Sequence, residues 1–407
     1  MKLHAYSLSA ALLAACIFAT PSLAQEENVI VQSMVQAGLS PAEAQARYAL
    51  DLEARALQER LRREEPSFAG MYGDASSGSM RIFVRLTGNA QTTLARFTSN
   101  PAFVAVQAAV PLQALERRQA AMARALEARG VAAGTSIDLK TGKVRVYTRQ
   151  AAQARQALTG VVADTESEVR EDDAAATPVA AVSGGRQTTY QSVSGTTLSS
   201  DRGTLGFAVT NGTTSGVTTA AHFGRCVNAS GATIAGCTVN GPSFYNPANT
   251  TGQLTGTPSL RWQSERLGGA YDVEWRTSTT DTFPNQIIYG ASTVMAVTST
   301  YDPANLVIGS SRVCKQGFTT GYACGTLVER YNQLWFGTYG DHYLVSSDSG
   351  GMMASGGDSG GPVFLANTAV GLISGVFQNT SSSRYGQMSF TSITTLSALG
   401  IRVKTAP

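Results

Sequence analysis

Ser359 lies in a glycine-rich segment that suits a nucleophilic serine. Residues 357–362 read Gly-Asp-Ser-Gly-Gly-Pro, and the glycine pair lets the backbone approach a bound ligand closely. A serine hydroxyl holds its proton too tightly at neutral pH to attack a substrate alone. The chain must therefore also supply a base and a carboxylate that orients this base.

The base can be sought among three histidines, His4, His222 and His342. His4 belongs to a predicted signal sequence. Residues 217–222 (Val-Thr-Thr-Ala-Ala-His) form a β-branched, apolar run, which predicts a buried strand that ends at the imidazole of His222. His342 lies in a polar, turn-like setting. We therefore expect His222 to act with Ser359, with His342 as the alternative.

Two segments resemble the signatures of chymotrypsin-like serine proteases. They are residues 219–222 (Thr-Ala-Ala-His) and 357–362, and the order His, Asp, Ser along the chain is that of this clan. Residues 313–325 resemble the bacterial secreted branch typified by α-lytic protease and the streptogrisins. The resemblance spans about residues 182–402. It implies an all-β catalytic domain of two six-stranded antiparallel β-barrels with the active site between them, preceded by an α+β pro-domain.

The resemblance also expects an aspartate that enters a strand, as Asp272 does in residues 270–275 (Ala-Tyr-Asp-Val-Glu-Trp). It implies that His222 is the general base, that Asp272 orients it, and that the N–H groups of Gly357 and Ser359 form an oxyanion hole. The competing carboxylates lie in polar, turn-like sequence, where a solvated aspartate is the ordinary interpretation. These competitors are Asp281, Asp302, Asp341 and Asp348.

Asp358 is expected to form a structural ion pair and not to be catalytic. In the family, the aspartate before the serine pairs with a buried basic residue just after a cysteine, and Lys315 occupies that place here. The family often has arginine there, so a bidentate pair is not available.

Four cysteines lie beyond the signal sequence, and an exported chain with an even number predicts two disulfides with three possible connectivities. We predict Cys226–Cys237 and Cys314–Cys324. The second pairing is implied by the family. The first departs from it, because Phe223 stands where the family has a cysteine directly after the histidine.

The resemblance also indicates the walls of the substrate pocket. Ser374 and Gly375 are expected to bind substrate backbone as an added strand. No aspartate or histidine lies at the pocket base, so we expect Ala, Val, Thr or Leu before the cleaved bond. Alternatively, Met352 and Met353 pack the core. The predicted substrate-binding residues are Met353, Ala354, Ile373, Ser374, Gly375 and Val376.

Residues 1–24 have the features of a secretory signal, with Lys2, an apolar stretch and the small-x-small site Ser22-Leu23-Ala24. The alternative is a lipoprotein signal cut at Cys16. Overall charge is low, at 14% charged residues and a formal net of +3, which favours neither a nucleic-acid partner nor acidic substrates.

Residues 25–165 predict an α+β unit without histidine or cysteine, which resembles a pro-domain that catalyses folding and inhibits the enzyme. The alternative is a permanently attached binding domain. Residues 166–181 are acidic and then rich in alanine, which predicts an unordered, cleavable linker. Residues 182–407 form the predicted protease domain, and a cut one or two residues before Val182 would leave Ala180 or Val179 before the cleaved bond.

Together these features predict a secreted serine endopeptidase made as a zymogen. Its expected partners are protein or peptide substrates and its own pro-domain. We expect a monomer without cofactor, metal, nucleic acid or, in the mature form, a membrane. Three alternatives remain, namely an inactive protease-fold binding module, a membrane-anchored lipoprotein, and an esterase, although an esterase would place its serine between a strand and a helix.

Overall fold

The computed structural model describes residues 22–76, 78–175, 177–178, 187–194, 197–224, 243–245, 259–290, 293–348 and 350–405. Three predicted features lie outside these residues: Cys16, the start of the mature chain near Val182, and the pairing of Cys226 with Cys237. Within the described residues, no helix is long and apolar enough to cross a membrane.

The N-terminal unit, which comprises the described residues up to 171, mixes helices and strands. Its helices are α1 (Ser22–Gln36), α2 (Pro41–Glu64), α3 (Ala90–Leu94), α4 (Leu112–Ala128) and α5 (Ala151–Leu158). Its strands are β1 (Phe68–Asp74), β2 (Arg81–Leu86), β3 (Phe103–Gln107), β4 (Gly134–Asp138), β5 (Lys143–Thr148) and β6 (Ser167–Glu171). The first three strands form one sheet, and the last three extend a second sheet.

The start of α2 follows from its sequence. Ser40 caps the helix, because its hydroxyl accepts the N–H of Glu43 while the Glu43 carboxylate accepts the N–H of Ser40. Pro41 occupies the first turn, where its missing N–H costs nothing. The predicted capping box is thus confirmed.

The C-terminal region, which comprises the described residues from 187 onward, is mostly β, as expected. The connecting segment, residues 172–178, contributes the short strand β7 (Thr177–Pro178). The first strands of the C-terminal region are β8 (Gln187–Ser194), β9 (Thr197–Thr204), β10 (Ala208–Thr210), β11 (Ser215–Thr219), β12 (Ser243–Tyr245), β13 (Ser259–Gly268), β14 (Tyr271–Thr277), β15 (Gln286–Tyr289) and β16 (Thr293–Ala296). The others are β17 (Ser299–Thr300), β18 (Arg312–Gly317), β19 (Gly321–Trp335), β20 (Thr338–Ser347), β21 (Pro362–Leu365), β22 (Thr368–Val376), β23 (Met388–Ser392) and β24 (Arg402–Val403).

Two large sheets organise the C-terminal region. One sheet has the strand order β24-β10-β11-β14-β13-β12-β8-β9. In the other, the order β18-β21-β22-β23-β20-β19 returns to its start, because β18 also pairs with β19. The second sheet continues from β19 into β4, β5 and β6 of the N-terminal unit.

The N-terminal unit and the C-terminal region share a hydrophobic core. Ile30 on α1 and Tyr48 on α2 are 1% and 3% exposed and belong to the same cluster as Val313 and Phe364. Full burial of one such large apolar side chain contributes about 1.5–3 kcal/mol. The interface is therefore apolar as well as hydrogen-bonded.

The predicted linker is partly ordered, which corrects the expectation of an unordered segment. Ser167–Glu171 forms β6, which pairs in parallel with β5, and Thr177–Pro178 pairs with β22. Backbone pairing along a sheet edge requires no apolar side chains, so an acidic sequence can still form a strand. The Arg145–Glu168 ion pair also connects β5 with β6.

Candidate active site

Neighbouring strands bring His222 and Asp272 together. His222 lies in a 3₁₀ turn (Ala221–Gly224) directly after β11, and Asp272 is the second residue of β14. These strands are antiparallel neighbours with Thr219 opposite Glu274, so the end of β11 lies beside the start of β14. The turn before β21 brings Ser359 to the same place from the other sheet.

The three side chains form one continuous chain of polar contacts. Nδ1 of His222 lies 2.7 Å from Oδ2 of Asp272, and the N–H of His222 donates to Oδ1 at 3.1 Å. On the other side of the ring, Nε2 lies 2.9 Å from Oγ of Ser359. A carboxylate accepts only, so Nδ1–H donates to Asp272 and Nε2 can accept the proton of Ser359.

Burial strengthens these contacts. His222 is 6% exposed, and Asp272 and Ser359 are fully buried. Electrostatic interactions are stronger where water is excluded. The arrangement can therefore carry base-assisted attack by the Ser359 hydroxyl, with the Asp272 carboxylate stabilising an imidazolium.

His342 lies elsewhere, although it is also buried. Its Nε2–H donates to the carbonyl of Gly269 at 2.8 Å, and Nδ1 lies 3.3 Å from Oγ of Ser389. Burial lowers the pKa of His342, which favours the neutral ring. The structure brings His222, not His342, to Ser359, and leaves His342 supporting the turn before Asp272.

The four competing aspartates have other partners. Asp341 pairs with Arg330, Asp348 pairs with Arg312, Asp281 accepts from Ser278, and Asp302 caps a 3₁₀ turn through the N–H of Ala304. Each of these carboxylates thus has a partner other than His222. Asp272 is the one that lies against the His222 ring.

Glycine is required around Ser359. Gly360 has a φ of 83°, and a Cβ there would lie 2.4 Å from the carbonyl oxygen of Thr204. Gly357 has a φ of 128°. Within the described part of the chain, the N–H groups of Gly357 and Ser359 donate to no protein acceptor, so both can donate to a bound oxyanion.

Sequence reasoning did not identify Thr204, although it holds the Ser359 turn. Its N–H donates to the carbonyl of Ser359 at 2.5 Å, and its hydroxyl donates to the carbonyl of Gly357 at 2.8 Å. A threonine at a strand end gives no local signal of this role, because its partners lie more than 150 residues away.

Asp358 points away from His222 and lies against Lys315. Their charged atoms are 3.2 Å apart, and both side chains are fully buried. The Asp358 carboxylate also accepts the N–H groups of Thr319, Thr320 and Ser355. Burial lowers the pKa of Lys315, and the attraction of Asp358 opposes that shift. Lysine thus occupies the position where arginine is common in the family.

Cys314 and Cys324 form a disulfide between directly opposed residues of β18 and β19. This bond fixes the hairpin that carries Lys315 and so supports the Asp358 pair.

Of the predicted pocket residues, Ile373 lies beside the Ser359 turn, because its carbonyl accepts the N–H of Gly360 at 2.7 Å and its N–H donates to the carbonyl of Gly361 at 2.9 Å. Four of the predicted pocket residues belong to one hydrophobic cluster, namely Met353, Ala354, Ile373 and Val376. Met353 is fully buried while Met352 is 37% exposed, so the two methionines differ in role. Thr177 and Pro178 of the connecting segment pair with Val376 and Gly375, at the edge expected to bind substrate backbone.

Two aromatic residues at the tip of the β19–β20 hairpin pack against His222. The ring centroids of Trp335 and Phe336 lie 6.1 and 6.2 Å from the imidazole centroid. Phe336 is 39% exposed and has a φ of 45°, which is uncommon for a bulky residue. Nothing in the local sequence connected this hairpin tip with His222.

The site and the mostly-β fold around it resemble those of chymotrypsin-like bacterial serine proteases, and known proteins of this class match the chain. Streptogrisin-C of Streptomyces griseus is 31% identical over 185 residues, which cover 45% of this chain and 34% of that protein. The chain thus spans about a third of the length of this curated relative. No family model matches the chain.

Solved structures give further matches. Protease A of Thermobifida fusca is 26% identical with a TM-score of 0.36, covering 56% of this chain and 100% of that structure. Alpha-lytic protease homolog N4 is 22% identical with a TM-score of 0.36, covering 54% of this chain and 98% of that structure.

Proposed function

We propose that the chain is the zymogen of a secreted serine endopeptidase. The observation that carries this proposal is the arrangement of His222, which lies 2.7 Å from Asp272 through one ring nitrogen and 2.9 Å from Ser359 through the other. The similarity to Streptogrisin-C supports the same reaction class.

The proposed reaction uses each of these groups in turn. Ser359 attacks the substrate carbonyl while its proton passes to Nε2 of His222, and the imidazolium then protonates the leaving amine. Water hydrolyses the resulting acyl-enzyme by the same proton route. The N–H groups of Gly357 and Ser359 stabilise the oxyanion, each donor contributing about 3 kcal/mol. Within this scheme, Asp272 holds the ring tautomer.

The contacts of the connecting segment support a pro-domain that also inhibits. Thr177 and Pro178 form a strand on β22, where a substrate backbone would have to pair. A chain in that position blocks substrate until it is removed. The N-terminal unit further adds β4 to β19 and buries Ile30 and Tyr48 in the common core, which supports a role in folding the C-terminal region.

The strand register suggests where the chain is cut. Thr177 lies opposite Val376 and Pro178 opposite Gly375, and Val179 is the next residue in the sequence. We propose that Val179 precedes the cleaved bond. Valine agrees with a pocket that accepts small or medium apolar side chains, and the pocket walls at Met353, Ala354 and Val376 are apolar.

Two six-stranded barrels remain our proposal for the catalytic fold. The ring β18-β21-β22-β23-β20-β19, which closes through the β18–β19 pairing, supports one barrel. The run β24-β10-β11-β14-β13-β12 supports six strands of the other. The signal-like residues 1–24 support our proposal that the chain is exported.

The first test compares the secreted products of the wild type and of Ser359→Ala. We expect a wild-type product that begins at Ala180 and an uncut mutant, as measured by N-terminal sequencing and intact mass. Cutting of both forms would mean that another protease matures the chain. If neither is cut, the N-terminal unit is a permanent domain and the zymogen proposal is wrong.

A further inference from the structure

The connecting segment contacts the C-terminal region at more places than the β7–β22 pairing. Leaving β6, it lies first against Ser383, then against Tyr331, and last against β22. This order follows the sequence from Asp172 through Ala174 to Thr177. The segment therefore runs along the surface on the amino-terminal side of the proposed cleavage point.

Asp172 is held by its side chain. The N–H and the hydroxyl of Ser383 both donate to Oδ2 of Asp172, at 3.2 and 2.5 Å. Asp172 is 7% exposed. Burial alone would raise its pKa, but hydrogen bonds from Ser383 and Ser382 outweigh this and hold the pKa of Asp172 below its usual value. The contact thus favours an ionised carboxylate.

The backbone after Asp172 is fixed by a second contact. The hydroxyl of Tyr331 donates to the carbonyl of Ala174 at 2.7 Å. Tyr331 is fully buried and lies on β19, in the closed ring of strands. A backbone contact of this kind is independent of the substrate side chain, so it would fix the register of any extended peptide that pairs with β22.

Arg384 adds positive charge beside Ser383. It is 3% exposed and pairs with Glu329 at 2.8 Å, while within the described residues its Nη1 has no hydrogen-bond partner. Its guanidinium carbon lies 3.3 Å from the ring centroid of Tyr147, which belongs to the N-terminal unit. Removal of that unit would therefore uncover one face of Arg384.

We propose that Tyr331, Ser383 and Arg384 form a distal substrate-binding site that selects an acidic side chain six residues before the residue that pairs with Gly375. In the zymogen the chain's own Asp172 occupies this site, six residues before Pro178. The ligand class is an extended peptide with Asp at this position. The proposal rests on the proposed function, because it assigns a role in substrate choice to the mature enzyme.

The N-terminal unit supplies some of the contacts that hold the segment around Asp172. The loss of these contacts limits the expected effect of Asp172 on cleavage of a free peptide. The N–H of Asp172 donates to the carbonyl of Thr148, and Arg149 pairs with Asp173. A free peptide lacks both contacts. Two hydrogen bonds from Ser383 to a carboxylate remain, which corresponds to an effect of about fivefold.

The test uses the secreted wild-type product freed of the N-terminal unit, and a fluorogenic peptide that matches residues 170–184. We expect Asp172→Asn in the peptide to lower kcat/KM about fivefold, mainly through KM. The matched control is Glu171→Gln, an equal charge change at an exposed residue whose carboxylate makes no hydrogen bond in the described part of the chain. That peptide should change less than twofold.

Variants of the enzyme, combined with the peptide variants, complete a double-mutant cycle. Ser383→Ala should slow cleavage of the parent peptide about threefold. It should not change the rate for the Asp172→Asn peptide, because that peptide already lacks the carboxylate that Ser383 binds. Ser381→Ala, an exposed neighbour, should change neither. Equal losses for Asp172→Asn and Glu171→Gln would overturn the distal site, as would a Ser383→Ala effect that is the same for both peptides.

Two further measurements distinguish failure of the proposed endopeptidase function from failure of the distal site. Labelling of Ser359 by a fluorophosphonate and cleavage of a short peptide that begins at Thr177 report catalysis without the distal site. If both are absent, the endopeptidase proposal is wrong. In that case, fluorescence anisotropy measures the binding of a fluorescein-labelled peptide that matches residues 167–179. The distal site is then tested by comparing the affinities of the Asp172→Asn and Glu171→Gln forms of this peptide.

Discussion

At the scale of single residues, the site depends on which ring nitrogen of His222 carries the proton. The Asp272 carboxylate lies 2.7 Å from Nδ1 and is fully buried, so it fixes the proton on that nitrogen. Nε2 is then available to Ser359. The histidine, not the serine alone, therefore determines whether the site can react.

Asp272→Asn tests this dependence. An amide can donate to Nδ1, which would favour the tautomer with its proton on Nε2 and prevent it from accepting from Ser359. We expect kcat on a peptide substrate to fall by about 10⁴-fold, with the fold retained, by analogy with the same change in serine proteases. Asp281→Asn, a matched change at a half-buried carboxylate that accepts from Ser278, should leave kcat within twofold. A loss below tenfold for Asp272→Asn would contradict the assignment.

Because His342 is buried, we expect the free energy of unfolding to depend on pH. Burial lowers its pKa in the folded chain, although the negative charges of Asp272 and Asp341 partly oppose this. Below pH 6.5 the unfolded chain therefore binds a proton that the folded chain does not, and stability falls as pH falls.

Urea unfolding of the uncleavable Ser359→Ala chain between pH 5 and 8 measures this effect. His342 should contribute a loss of at most about 1.4 kcal/mol per pH unit below pH 6.5. The additional change His342→Gln should remove that part of the slope. An unchanged slope would show that His342 is not the titrating group.

At the scale of elements, residues distant in sequence hold the Ser359 turn. The end of β9 supplies Thr204, whose hydroxyl donates to the carbonyl of Gly357, and the β18–β19 hairpin supplies Lys315 to Asp358. The N–H groups that we propose bind the oxyanion are thus positioned by the end of β9 and by the hairpin that carries Lys315.

Thr204→Val tests the support from β9. The change keeps the side-chain shape but removes the donor to Gly357, so we expect kcat to fall about fivefold with little change in KM. Thr210→Val, at the half-buried end of β10 in the same sheet, is the control. A rise in KM without a fall in kcat would show that Thr204 affects substrate binding instead of the turn.

The sequence predicted the components that have local signals. The short motifs around His222 and Ser359, the capping box at Ser40 and the strand that contains Asp272 all have recognisable patterns. Thr204, Trp335 and Phe336 had none, because their roles arise only when strands far apart in the chain meet. The ordered linker was missed because composition reports side-chain burial and not backbone pairing to a sheet edge.

At the scale of the whole molecule, the N-terminal unit is part of the folded structure. It contributes three strands to one of the two large sheets and apolar side chains to the largest hydrophobic cluster. Strand pairing between distant segments is slow to form, because the loop entropy is lost before the contacts are gained. If β4 is already folded, its exposed backbone groups can pair with β19 and so speed the formation of this sheet.

Expression without the N-terminal unit tests this role. Residues 180–407 alone should yield little active enzyme after refolding, and addition of residues 25–179 as a separate chain should restore activity, as measured by active-site titration. The same addition with Ile30→Asp should restore much less, because it places a charge in the shared core. Full activity from residues 180–407 alone would contradict a folding role.

The pairing of β4 with β19 has a consequence for the enzyme once it is mature. The proposed removal of the N-terminal unit would take away the strand that pairs with Tyr331, Asn332 and Gln333. Such an open edge can pair with another copy of the same chain and begin aggregation. Arg330, a charged residue next to this edge, is the kind of residue that discourages such pairing. We therefore expect the N-terminal unit to protect this edge from self-association for as long as it stays attached.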